Sequence, residues 1–170
     1  MNTDTLSATE IELWLKLMST EGVGDVTAQV LLKTFGLPEQ IFAQSHTSLT
    51  RVVSDRVARA LLGAADDDFK QLLERTCAWG EQACNHIISL SCPTYPQHLL
   101  STADPPILLY AKGRIELLNS PRTLAMVGSR NATAQGIKNT EWFAEELAQV
   151  GCQIVSGLAL GIDAAAHRGA

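Results

Sequence analysis

Aromatic residues are scarce in this 170-residue chain, at 5%, and charged residues reach only 18% against 46% hydrophobic. Those proportions exclude a disordered, collagenous or disulfide-stapled protein and suit an ordinary globular one. The four cysteines, Cys77, Cys84, Cys92 and Cys152, form no CxxC pair, and His46, His86, His98 and His167 form no HxxxH. Neither a zinc site nor a redox pair is signalled, so buried reduced thiols are expected. The longest uncharged apolar run, around Cys152 to Leu160, falls far short of the ~20 residues of a membrane span. The opening MNTDTLSATEIELW carries no basic signal region, and a cytoplasmic protein without membrane contact is expected.

The formal net charge of -5 is unevenly spread. Residues 1–92 hold 7 basic and 12 acidic side chains, whereas residues 93–170 hold 6 of each. No chain-wide basic footprint exists, so any nucleic-acid contact must come from a local site.

What is present first is helical grammar. Ser7-Ala8-Thr9-Glu10 reads as a capping box, followed by Ile11, Trp14, Leu15 and Met18 on one face. Gly22-Val23-Gly24 interrupts, Asp25 can cap again, and Val26, Val30, Leu31 and Phe35 carry a second amphipathic helix to Gly36. Pro38 can open a short helix through Phe42, and Ser54 can cap one ending near Gly63. Asp66-Asp67-Asp68 suits the positive end of a longer helix better than it suits a metal.

From His86 the grammar changes. His86 to Leu90 and Ile107 to Ala111 are short strand candidates separated by proline-rich punctuation, and a boundary belongs near residues 85–92. Thr123 to Val127 and Cys152 to Ser156 read as strands buried on both faces. Between them, Gly136 to Val150 reads as a helix with Phe143, Ala144, Leu147 and Ala148 inward, and Asp163 can cap a further helix. Strand, helix, strand, helix implies a parallel sheet. The fold class expected is α/β: an all-helical N-terminal region of helix-hairpin-helix or SAM-like type over 1–88, then an incomplete Rossmann-like parallel sheet over 89–170. Two or three strands cannot complete a doubly wound sheet, so the chain is expected to be the front portion of a longer protein.

Two glycine-rich loops carry the chemistry. MVGSRNATAQG, Met126 to Gly136, and SGLALGIDAAAH, Ser156 to His167, each leave a strand and enter a helix, where free amides and glycine backbone suit phosphate. Ser129 and Ser156 can donate hydroxyl hydrogen bonds, and Arg130 offers a planar fork to anionic oxygens. The plainer alternative is that the glycines only make tight turns. A dinucleotide reading fails because the first loop is not GxGxxG and the second strand lacks the ribose-binding acid; no GK[ST] occurs either. Asp163 and His167 lie one helical turn apart and imitate an acid and base pair, but a capping Asp and a packed His explain them better.

At these residues the sequence resembles the DprA/Smf DNA-processing proteins. YPQHLLSTADPPILLYAKG (Tyr95 to Gly113), MVGSR with Thr133 and Gly136 following, and SGLALGIDAAAHRGA (Ser156 to Ala170) match that family in order and spacing. EGVGDVTAQVLLKTFG looks like the helical region preceding its Rossmann-like domain. The resemblance implies a single-stranded DNA-binding protein of natural transformation and competence, which protects incoming DNA and helps load the RecA recombinase. It implies no catalytic reaction, no cofactor and no metal, and a homodimer in the full-length protein. It places the DNA-binding residues at Gly128, Ser129, Arg130, Thr133, Gly136, Ser156, Gly157 and Gly161, with Arg130 in the DNA pocket.

Two other classes compete. A Rossmann-like hydrolase of a nucleotide or phosphoribosyl substrate would need a carboxylate, for which Asp163 is the candidate. An interaction protein would work through its helical half. That half is acidic, so the Gly22-Val23-Gly24 hairpin is read as a packing or interaction unit and not as a duplex grip. The missing GxGxxG, ribose acid and GK[ST] generate the first prediction: calorimetry will detect no micromolar binding of NAD or of ATP.

Overall fold

The structure is a computed structural model that describes residues 6–170. It divides into two compact units, the first ending at Asn119 and the second running from Ser120 to Ala170. Unit 1 begins with α1 (Ala8–Ser19), α2 (Asp25–Phe35), α3 (Pro38–Phe42), α4 (His46–Leu49), α5 (Asp55–Leu62) and α6 (Asp67–Gly80). It continues with β1 (Asn85–Ser89), α7 (Gln97–Leu100), β2 (Leu108–Lys112) and a 3-10 turn over Ile115–Asn119. Unit 2 holds β3 (Thr123–Ala125), α8 (Ala134–Gln149), β4 (Gln153–Val155) and α9 (Ile162–Gly169).

Helix starts follow the capping chemistry. The Ser7 hydroxyl accepts from the Glu10 amide at 3.2 Å, and the Glu10 carboxylate accepts from the Ser7 amide at 2.8 Å. Ser54 caps α5 through the Val57 amide, and Asp66 caps α6 through Phe69 at 2.8 Å, with Asp67 and Asp68 in its first turn. Asp25 is not a cap; the cap position of α2 is Gly24, which has no side chain to offer.

The core of unit 1 gathers Trp14, Leu15 and Leu17 from α1, Leu31 from α2, Ile41, Leu49, Leu61, and Ile87, Ile107 and Leu108 from the strand region. Leu17 is buried where Met18 was expected, and Val26 and Val30 are exposed. Helix α2 has two apolar faces, and the one carrying Ala28, Leu31, Leu32 and Phe35 takes the core because it offers the larger apolar area. Strands β1 and β2 pair antiparallel, with Ile87 opposite Tyr110. The unit division at Asn119 differs from the change of grammar near residue 88, because the segment after β1 joins the helical core. The Gln29 amide donates to the Pro105 carbonyl at 3.2 Å, and Ile107 and Leu108 pack into that core.

In unit 2, β3 and β4 pair parallel, Leu124 opposite Ile154. The strands are not buried on both faces as their composition suggests. All of β3 is exposed and only Ile154 of β4 is buried, since helices cover one side of this two-stranded pair. Helix α8 buries Thr140 and Ala144, with Leu147 and Ala148 half-buried on the same stripe. Phe143 falls one residue off that stripe and is exposed beside Trp142. The cysteines also depart from expectation: Cys84 is exposed and the other three are half-buried free thiols. Among the described residues no helix is long and apolar enough to cross a membrane.

Hydrogen bonds from Ser7, the backbone one first, hold the Glu10 carboxyl below its ordinary pKa. A carboxylate whose folded-state pKa is depressed stabilises the fold above its unfolded pKa, and that contribution is lost as pH falls through the depressed value. The melting-temperature gap between wild type and Glu10→Ala is therefore expected to close on acidification from neutral pH. A gap that stays constant across thermal melts from neutral to strongly acidic pH would contradict this.

Candidate functional site

The two glycine-rich loops meet at the carboxyl ends of β3 and β4. Parallel pairing sets them side by side, and the ladder continues one step past the strands, Met126 N to Val155 O at 2.9 Å. The loops then touch directly: the Ile162 amide donates to the Ser129 carbonyl at 3.1 Å. A side chain at Gly161 would place its Cβ 2.2 Å from that carbonyl and 2.7 Å from the Arg130 carbonyl, and Gly161 sits at φ 83°, ψ -123°, a region closed to other residues. A Cβ on Gly128 would lie 2.7 Å from the Ile162 side chain. Both glycines serve the close packing of one loop on the other.

Each loop is braced in the same way. The Ser129 hydroxyl oxygen accepts from the Asn131 amide at 3.1 Å, and the Ser156 hydroxyl oxygen accepts from the Leu158 amide at 3.0 Å. Both hydroxyls keep a proton to donate. Asp163 is buried, and its Oδ2 accepts from the Gly157 amide at 3.0 Å. It is not the helix cap; Gly161 holds that position. Behind the loops α8 and α9 share one buried cluster through Ala144 and Ala166, and the Arg168 guanidinium pairs with Glu141 at 2.7 Å. The other member of the suspected pair, His167, is exposed on α9.

Thr133 caps α8, its hydroxyl accepting from Gly136 N at 3.0 Å. This leaves the exposed Ala134 and Gln135 amides without a hydrogen-bond partner among the described residues, at the positive end of a 16-residue helix. Arg130 is exposed and makes no ion pair among the described residues. The structure therefore places Gly128, Ser129 and Arg130 on one loop, Thr133 and Gly136 at the start of the helix it enters, and Ser156, Gly157 and Gly161 on the second loop beside it. Among the described residues a guanidinium, two amides and two hydroxyls on or next to these loops keep donors without a partner.

Aromatic platforms lie elsewhere. The Tyr95 ring is buried and its hydroxyl donates to Pro106 O at 2.7 Å; burial, and then the Asp25 carboxylate, push that hydroxyl's pKa up. Tyr110 bonds Thr76 at 2.8 Å and stacks edge-on against Trp79. Sequence reading missed Ile162, whose amide and side chain join the loops, and passed over Leu158 and Leu160. A signal for the leucines was available, since large apolar residues alternating with glycines in a turn have no regular element to bury them.

Residues 86–170 match the family described as DNA recombination-mediator protein A. The chain belongs to that family. It is 39% identical over 120 residues to the DNA processing protein DprA of Bacillus subtilis, a match covering 70% of this chain and 40% of that protein. With Protein Smf of Escherichia coli it shares 33% identity over 165 residues, 95% of this chain and 41% of that one. The chain thus spans about two-fifths of the length of these curated relatives. The X-ray structure of DprA from Streptococcus pneumoniae superimposes with a TM-score of 0.66 at 27% identity, covering 97% of this chain and 54% of that one. Helices followed by a small parallel sheet are therefore the arrangement of a DprA fold, as the resemblance implied. Both interlocking loops lie inside the matched family region.

If Gly161 is the interlock, its replacement is severe and local. Gly151 supplies the control, because it also has positive φ, 79°, but open space around it. Gly151→Ala is expected to cost roughly 1 kcal/mol. Gly161→Ala should cost clearly more in denaturant titrations and should speed hydrogen exchange at the Ile162 amide. Equal costs, with that amide still protected, would disprove the interlock.

Proposed function

We propose that the paired loops form a single-stranded DNA site, in which Arg130 and the Ala134 and Gln135 amides hold phosphate and the Ser129 and Ser156 hydroxyls add donors. The observation that carries this reading is an exposed arginine, free of any ion pair among the described residues, set beside the positive start of α8 on a loop that Gly161 clamps. Family membership supports it, since the relatives are named for DNA processing and recombination. Phosphate contacts of this kind position a strand without reading its sequence.

In the whole protein this site serves recombination of incoming DNA in natural transformation. The protein shields the single strand and hands it to the RecA recombinase, acting as a homodimer in the cytoplasm. The role is binding and not catalysis. Asp163, the carboxylate a hydrolase would call on, is engaged with Gly157 as a brace. None of the relatives' names describes an enzymatic activity. The helical region over 1–88 serves as an interaction or packing unit and the DNA-contacting residues fall within 89–170, with residues 89–119 sharing the helical core.

The test is Arg130→Ala in the full-length protein. Binding of homopolymer single strands should weaken by about 1.5–3 kcal/mol, similarly for all sequences. The plot of log affinity against log salt should flatten by ~0.7, the share of one phosphate on a single strand. Arg130→Lys should recover only part of the affinity, because a point charge cannot form the bidentate fork. Unchanged affinity and slope, with an unchanged melting temperature, would remove Arg130 from the site.

A further inference from the structure

Phosphate contacts alone leave the bases of a bound strand unaccounted for. The three most exposed large apolar side chains among the described residues belong to the two interlocked loops: Leu160 at 78%, Val127 at 73% and Leu158 at 72%. Single exposed leucines are ordinary on a protein surface, but three such side chains on touching loops mark a contact surface. Leu158 is held at φ 55°, a left-handed conformation unfavourable for leucine, with its amide tied to the Ser156 hydroxyl. Leu160 precedes Gly161, whose backbone packs on the Ser129 and Arg130 carbonyls, so Leu160 and Arg130 stand on contacting backbone segments.

The occupant must bring a negative charge and an apolar face to one small area. A nucleic-acid single strand does so in every nucleotide, whereas a duplex hides its base faces in the stack. Aromatic rings, the usual platform for unpaired bases, are absent from both loops. The aromatics of unit 2, Trp142 and Phe143, begin eight residues after the start of α8, about 12 Å along its axis.

We infer that Leu158, Leu160 and Val127 form the base-contacting surface of this site, pressing on the faces of unpaired bases beside the phosphate held by Arg130. The inference rests on the single-strand reading of the loops and adds to it the residues that distinguish a strand with bases from a bare sugar-phosphate chain. Leu160 is the member to test, because it is the most exposed and its backbone is not left-handed.

Titrate the full-length protein at fixed salt with a thymidine oligomer and with an abasic oligomer of equal length. Wild type should bind the thymidine strand more tightly. Leu160→Ala should weaken that binding by about five- to tenfold and leave the abasic strand within about twofold, as expected when one apolar side chain no longer meets a base. Leu160→Trp should hold or tighten the thymidine strand, while Arg130→Ala should weaken both strands. Equal effects of Leu160→Ala on the two strands, or none, would overturn the inference while leaving the single-strand reading intact. The inference also fails if both Leu160 variants lower the melting temperature or change the oligomeric state with the thymidine preference preserved, since protein would then cover this patch. Wild type binding neither strand would defeat the single-strand reading, and this inference with it.

Discussion

The Ile162 amide reaches the Ser129 carbonyl at 3.1 Å, and the arrangement of unit 2 as one surface depends on that reach. Two loops leaving adjacent parallel strands would otherwise diverge into solvent, each free to move. Gly161 and Gly128 let them close, because a Cβ at either would lie inside the van der Waals radius of the facing loop. The cores of α8 and α9 hold the contact from behind with alanines, and Gly169 lets the end of α9 meet the Glu141 backbone. Preorganisation is the result: on the proposed reading, donors on the two loops need no fresh loss of loop entropy at each binding event.

Unit 1 is built on a different principle. Four of its helices, α1, α4, α5 and α6, start on side-chain caps, and its elements share one apolar core, which extends into the proline-rich segment after β1 through Gln29, Ile107 and Leu108. Tyr95 belongs to the same extension, its hydroxyl satisfied by the Pro106 carbonyl in the interior. A buried tyrosine so fixed is a structural pin, which explains why the YP segment can punctuate the sequence and still be well packed. The acidic excess of residues 1–92 therefore belongs to a unit with its own core, and Arg130 belongs to the other unit.

Local chemistry was the most legible part of the fold. Ser7 with Glu10, Ser54, Asp66 and Pro38 announce helix starts because capping involves residues three apart, and the structure has helices at each. Facing was less legible. In α2 two apolar stripes compete, and only the tertiary core decides that Val26 and Val30 point outward. The site loops were visible as strand-to-helix turns rich in glycine, but the purpose of those glycines was not. Sequence shows that a position lacks a side chain; which backbone comes near it is a tertiary fact. For the same reason Asp163 read as a cap, since a carboxylate at a helix start commonly is one, whereas its partner is Gly157 on the preceding loop.

The balance of charge limits how this surface can hold a polyanion. With 6 basic and 6 acidic side chains in residues 93–170, no broad field gathers counterions, and one arginine accounts for only a small part of a salt-dependent affinity. Backbone amides and hydroxyls carry no net charge and release no ions, so their contribution survives at salt concentrations that erase a lysine patch. Apolar contact is likewise insensitive to ionic screening. A grip assembled from one guanidinium, oriented dipoles and exposed aliphatic side chains is thus short-ranged by construction. On the proposed reading, such a grip discriminates by shape and by the presence of an unpaired, accessible strand. Rigid interlocking of the loops is what makes the arrangement workable, because short-range contacts fall away steeply with misplacement where a long-range field would not.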